Sequence, residues 1–498
     1  MLQKHPRLWR FLRVSAAVPL FLLGLLTFGW AEVFLLFGGP NGSFSLGESI
    51  ALGFGLLAIG IAAIAAGVWL LRLGRKPGGT VRESPKASRG VSIKTWLRIT
   101  AGVLFLSFLA PVVRQVLRPS GRPIEDYVRF LEKQKVSSVD YILGLFRRYD
   151  IVILCERAHP EVTQYEMMYE LASDPRFQEQ VGHIFTELGT ATLQPFMESF
   201  LTDAQLTKEQ VDERLRYIAR NFCGYPVWDR SNFFDFLRRL YHLNRSLPRD
   251  RQVHVYPTDI DFRWDGATKK SFAEYNRRLG QRDKIEAEHV VSIFNVICES
   301  ATRNKALVIM NYRHAFPHLK KSRFERDETT AGFLMDAYPG RVANVMINAA
   351  VPLPGSTGAR AIITAVQQGK WDAAFALVGN PDVGFDFRGS PLGQDRFDYY
   401  PFIRTRLRYE NVFTGYVFFK PLMAHRLSFG LPGLIDESFT DEVLRRYLLA
   451  GEHRTRDEVV REVALLQTAR ISTYEDDTNV ISRSDCAVKI RQWLKGRP

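Results

Sequence analysis

Four short apolar runs in this chain end in residues that can do acid–base or metal chemistry. They read Ile151-Val-Ile-Leu-Cys-Glu156-Arg-Ala-His159, His183-Ile-Phe-Thr-Glu187, Val253-His-Val-Tyr-Pro-Thr-Asp259-Ile-Asp261 and Ala306-Leu-Val-Ile-Met-Asn311-Tyr-Arg-His314. An imidazole that titrates near neutrality can take a proton from water while a carboxylate holds its tautomer. The same imidazoles and carboxylates, here Glu156, His159, Glu187 and His314, can instead hold a divalent metal with open coordination positions. Taken singly, a Glu-x-x-His is most often a surface pair, Glu187 a helix-start carboxylate and His314 a bonded structural histidine. Their recurrence after successive apolar runs is what points to a site.

Such residues must be positioned by a sheet. Apolar runs at Ile151–Cys155, His183–Thr186, Gln252–Tyr256, Ala306–Met310, Val342–Ile347 and Tyr416–Phe419 read as buried strands. The stretches Pro160–Leu171, Lys208–Arg220, Asn232–Leu243 and Lys269–Thr302 carry apolar residues at three- and four-residue spacing, as amphipathic helices do. Alternation of the two predicts an α/β fold with a mainly parallel sheet flanked by helices. In such a sheet ligands bind at the carboxyl ends of the strands, where these polar residues fall. From about Phe439 onward the chain reads as helical and polar.

The first quarter is of another kind. Val14 to Ala31 is uncharged and is followed, after Glu32, by a second apolar stretch; Ser49 to Leu71 is an uncharged run of 23 residues. Either can cross about 30 Å of hydrocarbon as a helix. A third run, Ile99 to Val113, has 15 residues between Arg98 and Arg114 and spans if those arginines snorkel. These runs predict a membrane anchor over residues 1–118, with helices at about 14–37, 49–71 and 99–117, and an α/β domain over 119–498. Four Lys/Arg precede the first run, the Gly38–Glu48 loop has none and the Arg72–Arg98 loop has eight. The positive-inside rule then puts the amino terminus in the cytoplasm of a multi-pass cell-membrane protein. The third run reads as crossing, which makes the large domain extracytoplasmic; an interfacial anchor there would instead leave it cytoplasmic.

Residues 1–122 hold 15 of the 67 Lys/Arg but only three of the 53 Asp/Glu, so the rest of the chain is nearly neutral. The net charge of +14 therefore belongs to the lipid bilayer as partner and not to nucleic acid, which needs concentrated cations. Cys155, Cys223, Cys298 and Cys486 are far apart and form neither a disulfide framework nor a zinc motif. Cys155 could serve as a nucleophile beside His159, though a buried free thiol is the commoner role. His318 lies four residues from His314, but Pro317 argues against an undisturbed helix between them. The aromatic Phe385–Phe402 stretch reads as a packed loop or a lid.

At the strand-end residues the chain resembles the erythromycin-esterase-like superfamily, whose wider relatives include ChaN-like haem-binding proteins and the Tiki/TraB group. Cys155-Glu156-Arg-Ala-His159 matches that family's Gly-Glu-x-x-His except at the glycine, and Glu187 matches its second strand-end glutamate. Trp228 through Asn244 resembles its Trp-helix-Asn segment, and Asp259 or Asp261 its strand-end aspartate. Arg282-Asp283-Lys-Ile-Glu286-Ala287 resembles its Arg-Asp helix, with Glu286 where methionine is usual, and Asn311-Tyr-Arg-His314-Ala315 its histidine strand. The ordered set runs from about Asp150 to Asn348. The resemblance implies a hydrolase that uses water attack on an ester or related bond of a small-molecule or peptide substrate. In it His159 activates water, Glu156 or Glu187 orients that imidazole, and His314 binds or polarises the substrate. Arg282 neutralises developing charge or fixes a carboxylate, and with Asp259 and Asn311 lies on the substrate side. It also admits a metal-dependent hydrolase on the same residues, a protein that binds haem through His159 or His314, and a degenerate scaffold.

Overall fold

Val, Ile and Leu runs become strands here because both of their faces find cover. In the computed structural model, which describes residues 122–228, 230–300, 302–317, 328–352, 361–399, 407–473 and 482–495, six such runs are strands. They are β1 (Ile151–Glu156), β2 (His183–Thr190), β3 (His254–Asp259), β4 (Ala306–Asn311), β5 (Val342–Ile347) and, after an edge strand β6 (Val383–Asp386), β7 (Gly415–Phe418). They form one seven-stranded sheet in the order β3-β2-β4-β1-β5-β7-β6. All neighbours are parallel except β6, which runs antiparallel to β7 at the edge.

Every residue of β1, β4 and β5 is buried, as expected of a parallel sheet covered on both sides. Alternation divides the side chains: Val152 and Leu154 join one core cluster, Ile151, Ile153 and Cys155 the other. Each aliphatic side chain buried in this way contributes about 1.5–3 kcal/mol. Helix α1 (Val162–Ser173) and α2 (Asn232–Arg245) cover the first face with Tyr165, Met168, Phe233, Phe236 and Leu240. Helix α3 (Arg282–Ile297) covers the second with Ala287, Val290 and Phe294.

The long helical stretch predicted over Lys269–Thr302 is broken. A helix at Lys269–Arg278 is followed by a 3-10 turn at Leu279–Gln281, and α3 starts afresh at Arg282. Gly280 lies in that turn, and glycine costs about 1 kcal/mol in a helix interior. The break matters because it puts Arg282, Asp283 and Glu286 on the first turns of a helix at the sheet's carboxyl edge. Beyond Phe439 the chain is helical at Glu437–Leu449, Arg456–Leu466 and Cys486–Leu494. It also adds two short strands, Arg470–Thr473 and Ser482–Ser484, to small separate sheets. The described part of the Phe385–Phe402 stretch is packed, with Phe385, Phe387, Phe397 and Tyr399 all buried.

Among the described residues no helix is long and apolar enough to cross a membrane. The runs at 14–37, 49–71 and 99–117, Glu32 and His318 lie outside the described residues.

Candidate active site

The strand order makes neighbours of the four strands that end in reactive residues, since β3, β2, β4 and β1 are consecutive in the sheet. At about 4.8 Å per strand they span about 14 Å, and side chains from their ends can meet. Glu156 closes β1 opposite Asn311 of β4. On β2 the register slips between Thr186 and Thr190, where Gly189 takes a φ of 105°. A Cβ there would lie 3.0 Å from Pro257 Cβ. This irregularity in the register spans Glu187, and bulges at such places commonly re-aim side chains beside active sites.

Two carboxylate–imidazole pairs result. His159 Nδ1 lies 2.7 Å from Glu156 Oε2, and His314 Nδ1 lies 2.7 Å from Asp283 Oδ1. Glu187 stands between them: its Oε1 accepts from the Asn311 backbone N–H at 2.6 Å, and its Oε2 is 3.2 Å from His314 Nε2. Arg282 donates through Nε and Nη2 to both oxygens of Asp259, at 2.8 and 3.2 Å. Its Nε is also 2.9 Å from Glu286 Oε1, and its Nη2 3.7 Å from Glu187 Oε2. Glu156, Glu187 and Glu286 are all but fully buried, whereas the His159 side chain keeps 33% exposure. His159 is therefore the imidazole that solvent or substrate can reach.

The loop that carries His159 is held from several sides. Gln164 Oε1 accepts from the Arg157 N–H at 2.8 Å, and Asn232 Nδ2 donates to the His159 carbonyl at 2.5 Å. The buried Arg157 guanidinium pairs with Glu161, donates to the Asn348 carbonyl at 2.7 Å and lies 3.0 Å from His425 Nε2. Glu161 in turn caps α1, accepting from the N–H groups of Thr163 and Gln164 at 2.8 and 2.9 Å.

Of the residues singled out in the sequence, Glu156, His159, Glu187, Asp259, Arg282 and His314 converge. Asn311 contributes through its main chain, its side-chain amide donating to the Arg157 carbonyl at 3.2 Å. Of the two aspartates only Asp259 joins; Asp261 lines a surface cleft with Tyr275 and Arg278. Cys155 is on the opposite face of the sheet from Glu156, in the second core cluster, and burial pushes its thiol well above the ordinary range. Asn244 is structural, joined to both the N–H and the carbonyl of Val253 at the start of β3. Sequence reading missed Asp283 as the partner of His314, Glu286 as a member of the cluster, and Tyr165, whose hydroxyl donates to Glu156 Oε1 at 2.8 Å. The i,i+4 spacing of Arg282 and Glu286 was a signal for the second; the other two need the tertiary structure.

The electrostatics follow from five carboxylates, two imidazoles and one guanidinium in one place. Burial disfavours the imidazolium of His314, but Glu187, Glu286 and Asp283 outweigh it and raise its pKa to about 9. His159 is likewise opposed by burial and by Arg282, and held above its ordinary value by Glu156 and Glu187. Burial raises Glu286 above the ordinary carboxylate range against the attraction of Arg282 and His314. In all three the native state binds protons more tightly than the unfolded chain. The stabilisation from His314 is complete below the unfolded value of 6.5 and is lost as pH rises through about 9. Glu286, whose ionisation burial opposes, loses stabilisation in the same direction as rising pH forces it to ionise. The urea midpoint is therefore expected to fall between pH 6.5 and 9, and a rise over that interval would show His314 to be neutral in the native protein.

A cation also has somewhere to go. Glu156 Oε2, His159 Nδ1, Glu187 Oε2 and Glu286 Oε1 are buried without an aligned hydrogen-bond partner, although their ion-pair contacts are short. Two groupings have metal-ligand spacing, Glu156–His159–Glu187 and Glu187–Glu286–His314. Arg282 lies 2.9 Å from Glu286 Oε1 in the second and 3.7 Å from the shared Glu187 Oε2, so a divalent cation would meet less positive charge at the first. The cavity of about 250 Å³ between Asp212, Arg216, Phe234 and Leu431 shares no residue with this cluster.

Fold and site together define a largely parallel α/β protein with a buried carboxylate–imidazole–guanidinium cluster at its strand ends. No family model matches the chain, and no curated protein matches it. Among solved structures it is similar to a Bacillus cereus protein, 11% identical with a TM-score of 0.38, over 59% of this chain and 97% of that one. It is also similar to a succinoglycan biosynthesis protein (8% identity, TM-score 0.37, 58% and 92% covered). An erythromycin esterase mutant in its open conformation is a third (10%, 0.37, 55% and 91%). At that level of likeness the chemistry has to be argued from the geometry.

Proposed function

We propose that the chain is a membrane-anchored hydrolase in which water, activated by His159, attacks an ester or a related bond. The observation that carries this is the Glu156–His159 pair, 2.7 Å apart at Nδ1 with the imidazole part-exposed at a strand end. Glu156 Oε2, 2.7 Å from Nδ1, favours a proton on that nitrogen electrostatically and leaves Nε2 to take the proton of water. His314, whose pKa is raised to about 9 and whose ring is fixed by Asp283, would stabilise the negative charge that develops on the attacked group, with Arg282 neutralising its neighbours and held in place by Asp259. Asn311 supports this arrangement through the main chain. Anchoring rests on the apolar runs of residues 1–118, and resistance of the full chain to carbonate extraction from membranes is its test.

The test of the reaction is hydrolysis of a panel of chromogenic esters by the detergent-solubilised full chain and by His159→Ala. Turnover by the first and not the second supports the reading; equal turnover by both removes His159 from it. A metal-dependent variant is favoured by the buried oxygens that lack aligned donors. A divalent cation held by Glu156, His159 and Glu187 would supply Lewis acidity and an acidified water. Elemental analysis, and loss of turnover to a chelator, would select it. Cys155→Ala is expected to leave the rate unchanged, because the thiol sits across the sheet from Glu156; a lost rate would make the thiol a participant.

A further inference from the structure

Each oxygen of Glu156 has a different neighbour. Oε2 faces His159 Nδ1 at 2.7 Å, and Oε1 accepts a hydrogen bond from the Tyr165 hydroxyl at 2.8 Å. The terminal torsion of a glutamate is broad, so a carboxylate gripped at one oxygen does not have its plane defined. A second grip defines it. Tyr165 is 3% exposed and projects from α1 onto the face of the sheet that carries Val152 and Leu154. Its ring is set edge-on against Phe233, with centroids 6.1 Å apart, and tilted against Phe236 at 5.4 Å. Both belong to α2, and the residue before Phe233 is Asn232, which holds the His159 carbonyl. One helix therefore supports both halves of the pair, His159 through Asn232 and Glu156 through Tyr165.

We infer that Tyr165 is a positioning residue of the reaction, fixing the Glu156 carboxylate so that its other oxygen meets His159; this rests on the hydrolase reading above. Tyr165→Phe removes one O–H and keeps the ring packing. A hydrogen bond to a charged group is among the stronger kinds, and its loss is expected to lower kcat by about tenfold. KM and the thermal unfolding midpoint should be nearly unchanged.

The experiment is a double-mutant cycle on the detergent-solubilised full chain: wild type, Tyr165→Phe, Glu156→Gln and the double variant, with kcat, KM and thermal unfolding measured for each. If Tyr165 acts through Glu156, Tyr165→Phe lowers kcat in the wild-type background and has little further effect beside Glu156→Gln. An equal loss in both backgrounds, an unchanged kcat, or a loss confined to KM or to stability would overturn the inference and leave the hydrolase reading standing. A wild type that turns over no ester, while remaining folded, would remove the hydrolase reading and this inference with it.

Discussion

His159→Ala is expected to lower kcat for ester hydrolysis by about 10²–10⁴-fold, the range over which a positioned general base contributes. KM should change little, because the imidazole acts on water and leaves substrate contacts to other groups. Folding should survive, since the side chain is 33% exposed and its loop is held by Arg157, Gln164 and Asn232 independently of the ring. Stopped-time hydrolysis with circular dichroism as the control reads both quantities. The wild-type rate has a direction with pH as well. Because His159 is held above its ordinary value by Glu156 and Glu187, the neutral form that can act as base grows as pH rises, and the wild-type rate should rise with it. His314 must keep its proton to stabilise negative charge, and it loses it near 9, so the profile should be a bell whose alkaline limb disappears in His314→Ala. An acid limb unchanged in His159→Ala would assign the base elsewhere.

Arg282→Leu is the change with the largest expected effect on stability. The guanidinium makes two hydrogen bonds to Asp259 and lies within 4 Å of Glu187 and Glu286. Its removal leaves these carboxylates buried around an apolar side chain, and breaking a buried pair on one side costs about 3–5 kcal/mol. Urea unfolding at pH 7 measures it. Arg282→Lys should recover part of the loss, since it restores the charge but not the planar fork that meets both Asp259 oxygens. A loss below about 1 kcal/mol would mean that the carboxylates are already neutralised by protons or by a bound cation. Repeating the unfolding with added divalent cation would separate those two.

Several parts of this arrangement were legible in the residues themselves. Six apolar runs became six strands because they are short and rich in β-branched Val and Ile, which suit a sheet covered on both faces better than a buried helix. Glu156, Glu187, Asp259 and His314 could be singled out because each follows such a run, where a parallel sheet leaves its polar ends. That Cys155 and Glu156 must face opposite sides also follows from adjacency on a strand.

Other parts had at most a weak local signal, such as Gly280. The seventh strand, Val383–Asp386, is short and pairs only as an antiparallel edge to β7, and the break at Leu279–Gln281 interrupts a stretch whose apolar periodicity continues through it. Asp259 and Asp261 are equivalent in sequence, both just past an apolar run. Only the packing of α3 over the end of β3 selected the first and left the second in a surface cleft.

The sequence by itself therefore determined which residues lie at strand ends and which face of each strand they follow, because burial and the two-residue period of a strand are local properties. The tertiary structure decided their company. Strand order put β3, β2, β4 and β1 side by side, and helix packing brought Asp283 to His314 and Tyr165 to Glu156. Those contacts join residues up to 31 positions apart, and which distant groups share one desolvated volume depends on how the elements stack.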